Sequence, residues 1–150
     1  LHTNDAPSTI TRLQNMGTPD YLISAACQLV VAQRLARKNC KDCKVPDDDV
    51  TPKVLQDLGF TAEVASRVKA VKGKGCPKCK DTGYKGRQGI YEILSVSKPL
   101  KEAILRQATT PELREIAVKE GFQTMQDMGR RLIASGDLNF REFERVLSGE

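Results

Sequence analysis

Apolar positions along the chain recur mostly at intervals of three and four, the repeat of helices with one buried face. Ile10, Leu13 and Met16 set the first such stripe. Asp5 is placed to cap it, Pro7 falls in its first turn, where a missing N–H is harmless, and Gly17 closes it. "TPD" restarts the pattern, with Thr18 read as a cap and Pro19 as an opening residue. One long helix is predicted from there to about Lys38, burying Leu22, Ile23, Ala26, Leu29, Val30 and Leu35. Arg12, on the first helix, and Arg34 and Arg37, on the second, are expected on solvent-facing sides, the alternative being contact with a neighbouring subunit or a phosphate.

A short helix is predicted from Thr51 and Pro52 to Gly59, and another from Thr61, with Val64, Val68 and Val71 on one side. "GYKGRQGIYEILSV" is the one strand candidate, because its glycines allow tight turns and "IYEILSV" is β-branched and aromatic. From Pro99 onward the pattern is helical again. Thr109 and Glu112 form a capping box for a helix ending at Gly121, and Asn139 and Glu142 repeat that signature near the end. The expected fold class is mainly α, with a small knuckled insert that carries a short β-hairpin or sheet.

Length and charge narrow the class. A chain of 150 residues suits one ordinary domain or two small ones. With 39% apolar and 29% charged residues it reads as globular rather than disordered. "YLISAACQLVVA" is too short and too interrupted for a membrane span, so no transmembrane segment is expected. No leader pattern is visible, and the opening "LHTNDAP", without Met, reads as a piece of a longer protein. The net charge of +5 is spread along the chain without a dense basic run, so no nucleic-acid partner is expected.

The chemistry lies in two CxxC pairs. Cys40 and Cys43 stand in "KNCKDCK", and Cys76 and Cys79 in "KGCPKCK", with 32 residues between the two pairs. Each spacing lets a chain wrap one tetrahedral ion, and four thiolates around zinc leave no open position for water or substrate. Counting four thiolates and one divalent ion, the net charge falls from +5 to about +3. Lys41, Lys44, Lys78 and Lys80 flank the sulfurs and would favour thiolate. A redox dithiol is the weaker reading, since neither pair sits between a strand and a helix as in thioredoxin-like sites. A nucleic-acid-binding ribbon would need stacking aromatics, which are scarce near the knuckles. Cys27, the odd cysteine, is expected as a small buried apolar residue on the long helix.

Three stretches resemble one family. "LHTNDAPSTITRLQNMG" resembles the end of the histidine box and the following helix of secretion-type hexameric ATPases. "VVAQRLARKNCKDCK" resembles the helix leading into their first metal knuckle, and "GCPKCKDTGYKGRQGIYEIL" their second knuckle and glycine-rich strand. With the helical tail, the resemblance to type II secretion and type IV pilus assembly ATPases covers essentially the whole chain. The tetracysteine sets it apart from pilus retraction motors, which generally lack it, and "NDAPSTITRL" resembles pilus extension motors more than type II secretion ATPases.

The resemblance implies a C-terminal helical part of a RecA-like α/β ATPase domain carrying a zinc-binding insert. Residues 1–38 would be the tail of the ATPase domain, 39–95 the zinc-binding subdomain and 96–150 a helical subdomain. It implies a homo-hexameric parent, cytoplasmic and peripheral at the inner membrane, that uses ATP and Mg to drive pilin assembly through a membrane platform protein. Structural zinc would sit on Cys40, Cys43, Cys76 and Cys79. His2 would stand near the terminal phosphate, with Thr3, Asn4 and Asp5 in the same motif. The phosphate-binding loop should lie outside the chain, because G-x-x-x-x-G-K-[ST] occurs nowhere in it. Two other functions fit parts of the pattern: a type II secretion motor, and a free-standing zinc-ribbon adaptor for nucleic acid or protein.

Overall fold

The computed structural model describes residues 3–147. In chain order the elements begin with α1 (Ala6–Asn15), α2 (Asp20–Ala26), β1 (Leu29–Asn39), β2 (Lys44–Pro46), α3 (Pro52–Asp57) and α4 (Ala62–Arg67). There follow β3 (Val71–Gly73), a 3-10 turn at Pro77–Cys79, β4 (Tyr84–Ser95), α5 (Lys98–Leu105), α6 (Thr110–Lys119), α7 (Met125–Ser135) and α8 (Phe140–Leu147). β1 pairs with β4, and β2 pairs antiparallel with β3. The chain divides into two compact units, one built from the residues up to Gln33 with Tyr91–Met125, the other from Arg34–Ile90 with the residues from Gln126 on.

In the first unit α1 packs on α2 and α6, and α5 packs on α2 and α6. Ile10, Ile23, Leu100, Ile104 and Leu113 fill its interior, each at most 3% exposed. Asp20, in the first turn of α2, accepts from the side-chain amides of Gln14 at 2.8 Å and Gln107 at 2.9 Å, which ties three segments to one carboxylate. Asp5 caps α1 as expected, accepting from the N–H of Ser8 at 2.8 Å. Thr18 is not the cap of α2. Its N–H donates to the Leu13 carbonyl at 3.1 Å and so closes α1, while Pro19, extended at ψ 140°, takes the cap position.

The long helix does not form. α2 stops at Ala26, Cys27 is already extended, and after Gln28 the eleven residues Leu29–Asn39 are a strand. The decisive feature is alternation: Val30, Ala32 and Ala36 are buried, while Leu29, Val31 and Leu35 are each more than half exposed. Small and β-branched residues at every second position suit a pleated surface, and the β4 partner supplies the ladder that a helix would have satisfied internally. Cys27 lies in the two-residue link between helix and strand, partly buried, and burial pushes its thiol pKa up. "GYKGRQGIYEILSV" does form a strand, yet it is one of four among the described residues. The chain is thus helical with small antiparallel sheets beside a cysteine cluster, and richer in strand than its pattern suggests.

In the second unit, Thr51 caps α3 and Thr61 caps α4, as the sequence predicts. Val71, placed on a helix by its spacing, instead lies in β3, opposite Pro46. Asn39, at the end of β1, gives its N–H to Asp137 at 2.9 Å and its side-chain amide to the carbonyls of Gly136 and Val71. It thereby fixes the approach to the first cysteine against β3 and the α7–α8 connection. α8 packs closely over Gly129 of α7, where an added Cβ would lie 2.3 Å from Leu147 and 2.7 Å from Phe143.

Candidate metal centre

The first cysteine pair leaves β1 at Cys40 and re-enters a strand just after Cys43; the second opens at Cys76 and turns through Pro77–Cys79. Lys44 pairs with Gly73, Val45 with Lys72 and Pro46 with Val71, so the antiparallel ladder brings the two loops to one end. Two further bonds tie the loops directly: Lys74 N–H donates to the Cys43 carbonyl at 3.0 Å, and Cys40 N–H to the Gly83 carbonyl at 2.9 Å. Closure depends on two glycines. A Cβ on Gly73 would lie 1.9 Å from the Gly83 carbonyl oxygen, so backbone meets backbone where any side chain would intrude. After Cys79 the chain reverses through Lys80 and Asp81, both left-handed, at φ 55° and 60°.

The four sulfurs, all on free cysteines, lie within 4.8 Å of one another. Cys40 and Cys76 are 3.8 Å apart, Cys43 and Cys79 3.8 Å, and Cys76 and Cys79 3.7 Å. These are not disulfide separations, which are about 2.05 Å. A tetrahedron with metal–sulfur arms of 2.3 Å has edges of about 3.8 Å. The donor set and its spacing therefore fit one tetrahedral thiophilic ion.

The surroundings suit thiolate. Cys43 accepts from the N–H of Gly75 at 3.3 Å, and Cys79 from those of Cys76 at 3.2 Å and Gly83 at 3.3 Å. Burial pushes Cys79 up, but the amides of Cys76 and Gly83 and the thiols of Cys76 and Cys43 outweigh it and bring its pKa to about 6. Burial drives Cys43 the other way, to about 11, against the Gly75 amide and with the thiols of Cys40, Cys79 and Cys76. Four adjacent sulfurs cannot all ionise without a cation between them. Lys78, expected to offset the sulfurs, is paired with Asp42 at 3.3 Å. The amide donors were missed in the sequence; the glycines flanking the second pair were their signal.

The same unit holds a charged cluster around Glu142, one of whose partners, Arg37, the helical reading placed on a wet face. Glu142 is fully buried and accepts from the Arg37 backbone N–H, from Arg37 Nε and NH2 at 3.1 Å each, and from Arg145 NH2 at 2.9 Å. Arg37 also lies over the Tyr84 ring, 4.1 Å from its centre, and Asn139 donates to the Tyr84 hydroxyl at 3.0 Å. Arg34 donates to the Val146 carbonyl. Neither arginine is merely wet. The Asn139 cap does form, receiving the Glu142 N–H at 2.8 Å, but the Glu142 carboxylate turns to the arginines.

His2 lies outside the described residues. Of its motif, Thr3 shares a hydrogen bond with Thr9 at 2.7 Å, and Asp5 pairs with Arg114 besides capping α1.

The family described as Type II/IV secretion system protein matches residues 1–145. Among its relatives, a type IV pilus assembly ATPase PilB of Myxococcus xanthus is 37% identical over 142 residues, 95% of this chain and 25% of that protein. The one of Thermus thermophilus is 42% identical over 132 residues, 86% of this chain and 14% of that protein. A type II secretion system ATPase E of Vibrio cholerae is 36% identical over 144 residues, 87% of this chain and 28% of that protein.

Proposed function

The chain belongs to the type II/IV secretion system protein family, and from that membership we propose that it is the C-terminal part of a motor ATPase that powers type IV pilus assembly. It spans 25%, 14% and 28% of the three relatives' lengths, so the activity and partners belong to the parent as a whole. In that parent, six copies use ATP and Mg, bound mainly outside this chain, to work on an inner-membrane platform protein from the cytoplasmic side. No helix among the described residues is long and apolar enough to cross a membrane. His2 and the motif after it approach the terminal phosphate, where positioning and charge dominate phosphoryl transfer. Residues 1–38, 39–95 and 96–150 correspond to the ATPase tail, the zinc-binding subdomain and the helical tail.

Zinc on Cys40, Cys43, Cys76 and Cys79 is structural. One observation carries this: sulfur separations of 3.7 and 3.8 Å, the edges of a closed four-thiolate tetrahedron. Bound there, the ion supplies cohesion between two loops and no open coordination position. The chain's own groups do the rest: the amides of Gly75, Cys76 and Gly83 orient the sulfurs, and Gly73 against Gly83 lets the loops close.

Two measurements on the purified chain test the proposal together. About one zinc per chain and no ATP turnover are expected, because the phosphate cradle is missing. Metal-free chain or genuine turnover contradicts it. Loss of pili, with type II secretion intact, on deleting the parent gene distinguishes the pilus motor from its secretion counterpart.

A further inference from the structure

Glu92 takes no part in the metal centre. It lies on the covered side of β4 and is 2% exposed. Its Oε1 accepts from the N–H of Ala6 at 2.8 Å and its Oε2 from the N–H of Met125 at 2.9 Å. These are the first amides of α1 and α7, ends at which unpaired N–H groups and aligned peptide dipoles concentrate positive charge. A single buried carboxylate thus closes the starts of two helices from opposite ends of the sequence.

The start of α1 is pinned by further bonds. Asp5 caps it and pairs with Arg114 of α6, Thr3 bonds Thr9, and Thr11 shares a hydrogen bond with Thr110 at 2.7 Å. The Asp5–Arg114 and Thr11–Thr110 contacts hold α1 to α6. Glu92 alone among them also holds the start of α7.

We propose that Glu92 is the positioning residue for the Thr3–Asp5 stretch, keeping it in register with the start of α7. The inference rests on the motor reading, in which that stretch and the adjoining His2 form a nucleotide-proximal motif. The residue type follows from hydrogen-bond polarity. An ionised Glu offers only acceptors, and both neighbours donate. Gln has the same shape, but its NH2 must face one of the two amides, so one helix start loses its partner. Asp keeps both acceptors on a shorter arm.

Wild type, Glu92→Gln and Glu92→Asp are compared in two settings. In this chain, hydrogen exchange at the Ala6 and Met125 amides is followed alongside metal content. Exchange at one or both is expected to quicken by about tenfold or more in the Gln variant, with metal content unchanged and the Asp variant between. In the full-length parent, Glu92→Gln is expected to lower kcat for ATP by between about tenfold and a hundredfold, with KM moved less than about twofold. His2→Ala should lower turnover comparably, and the double variant should lose little more than either single one.

Unchanged exchange at both amides overturns the tie between the helices. A kcat lowered by His2→Ala but untouched by Glu92→Gln overturns the positioning role and leaves the motor reading intact. A parent whose turnover ignores His2→Ala overturns the motif's reading first, and this proposal with it. Should the Gln variant fail to fold, Glu92→Asp carries the same comparison.

Discussion

The second unit holds two concentrations of negative charge, and it settles them in opposite ways. Around Glu142 the cations are the chain's own. Burial by itself pushes that carboxyl up, but hydrogen bonds from Arg145 and Arg37, the Arg37 N–H and the Arg37 charge outweigh it and hold the pKa at about 2. Around the sulfurs the amides of Gly75, Cys76 and Gly83 donate, all of them neutral, and Lys78 is engaged by Asp42. Amides can orient thiolates but cannot neutralise four of them. The carboxylate centre is therefore complete as folded, whereas four thiolates side by side would need an ion from outside. The contrast separates what the chain can stabilise alone from what it must borrow.

The largest expected effect breaks the borrowed centre. Chelation, or Cys76→Ser, should remove metal-binding free energy on the order of 10 kcal/mol and unfold β2, β3 and the cysteine loops. Helices α1, α2, α5 and α6, with their own apolar core, should keep their circular dichroism signal. Chelation without effect, or loss of all helix at once, would break the distinction between the two kinds of centre.

Gly73→Ala comes next, because its Cβ would meet backbone that cannot swing aside. A loss of about 3 kcal/mol is expected in denaturant titration, with faster zinc release. Glu142→Ala should cost about 2 kcal/mol, since Arg37 and Arg145 are half exposed and can rehydrate, and zinc content should not change. The same centre sets an acid limit. With a folded pKa near 2 against an ordinary 4.5, its stabilisation is full above about pH 4.5 and fades as pH falls toward 2. Wild type should lose stability across that window relative to Glu142→Ala, in urea titrations at matched pH. Lys78→Ala is the smallest: its pair with Asp42 is exposed, and less than about 1 kcal/mol should be lost.

These centres differ in how readily the sequence discloses them. CxxC encodes its geometry within four residues, so Cys40, Cys43, Cys76 and Cys79 could be named from spacing, as could the caps at Asp5, Thr51 and Thr109. Glu142 and Arg37 are 105 residues apart, and nothing local joins them. Reading Arg37 as helical hid the pair. "LVVAQRLARK" satisfies a helical stripe and an alternating one nearly equally, and pairing with a distant strand decides between them. Glu92 was hidden for a related reason: on a strand it looks like an ordinary polar residue until two helix starts are seen to converge on it.

The most direct test of the central claim is zinc K-edge X-ray absorption on the freshly purified chain. A single shell of four sulfurs at about 2.3 Å is predicted. A shell containing nitrogen or oxygen, fewer than four sulfurs, or no zinc at all would contradict it.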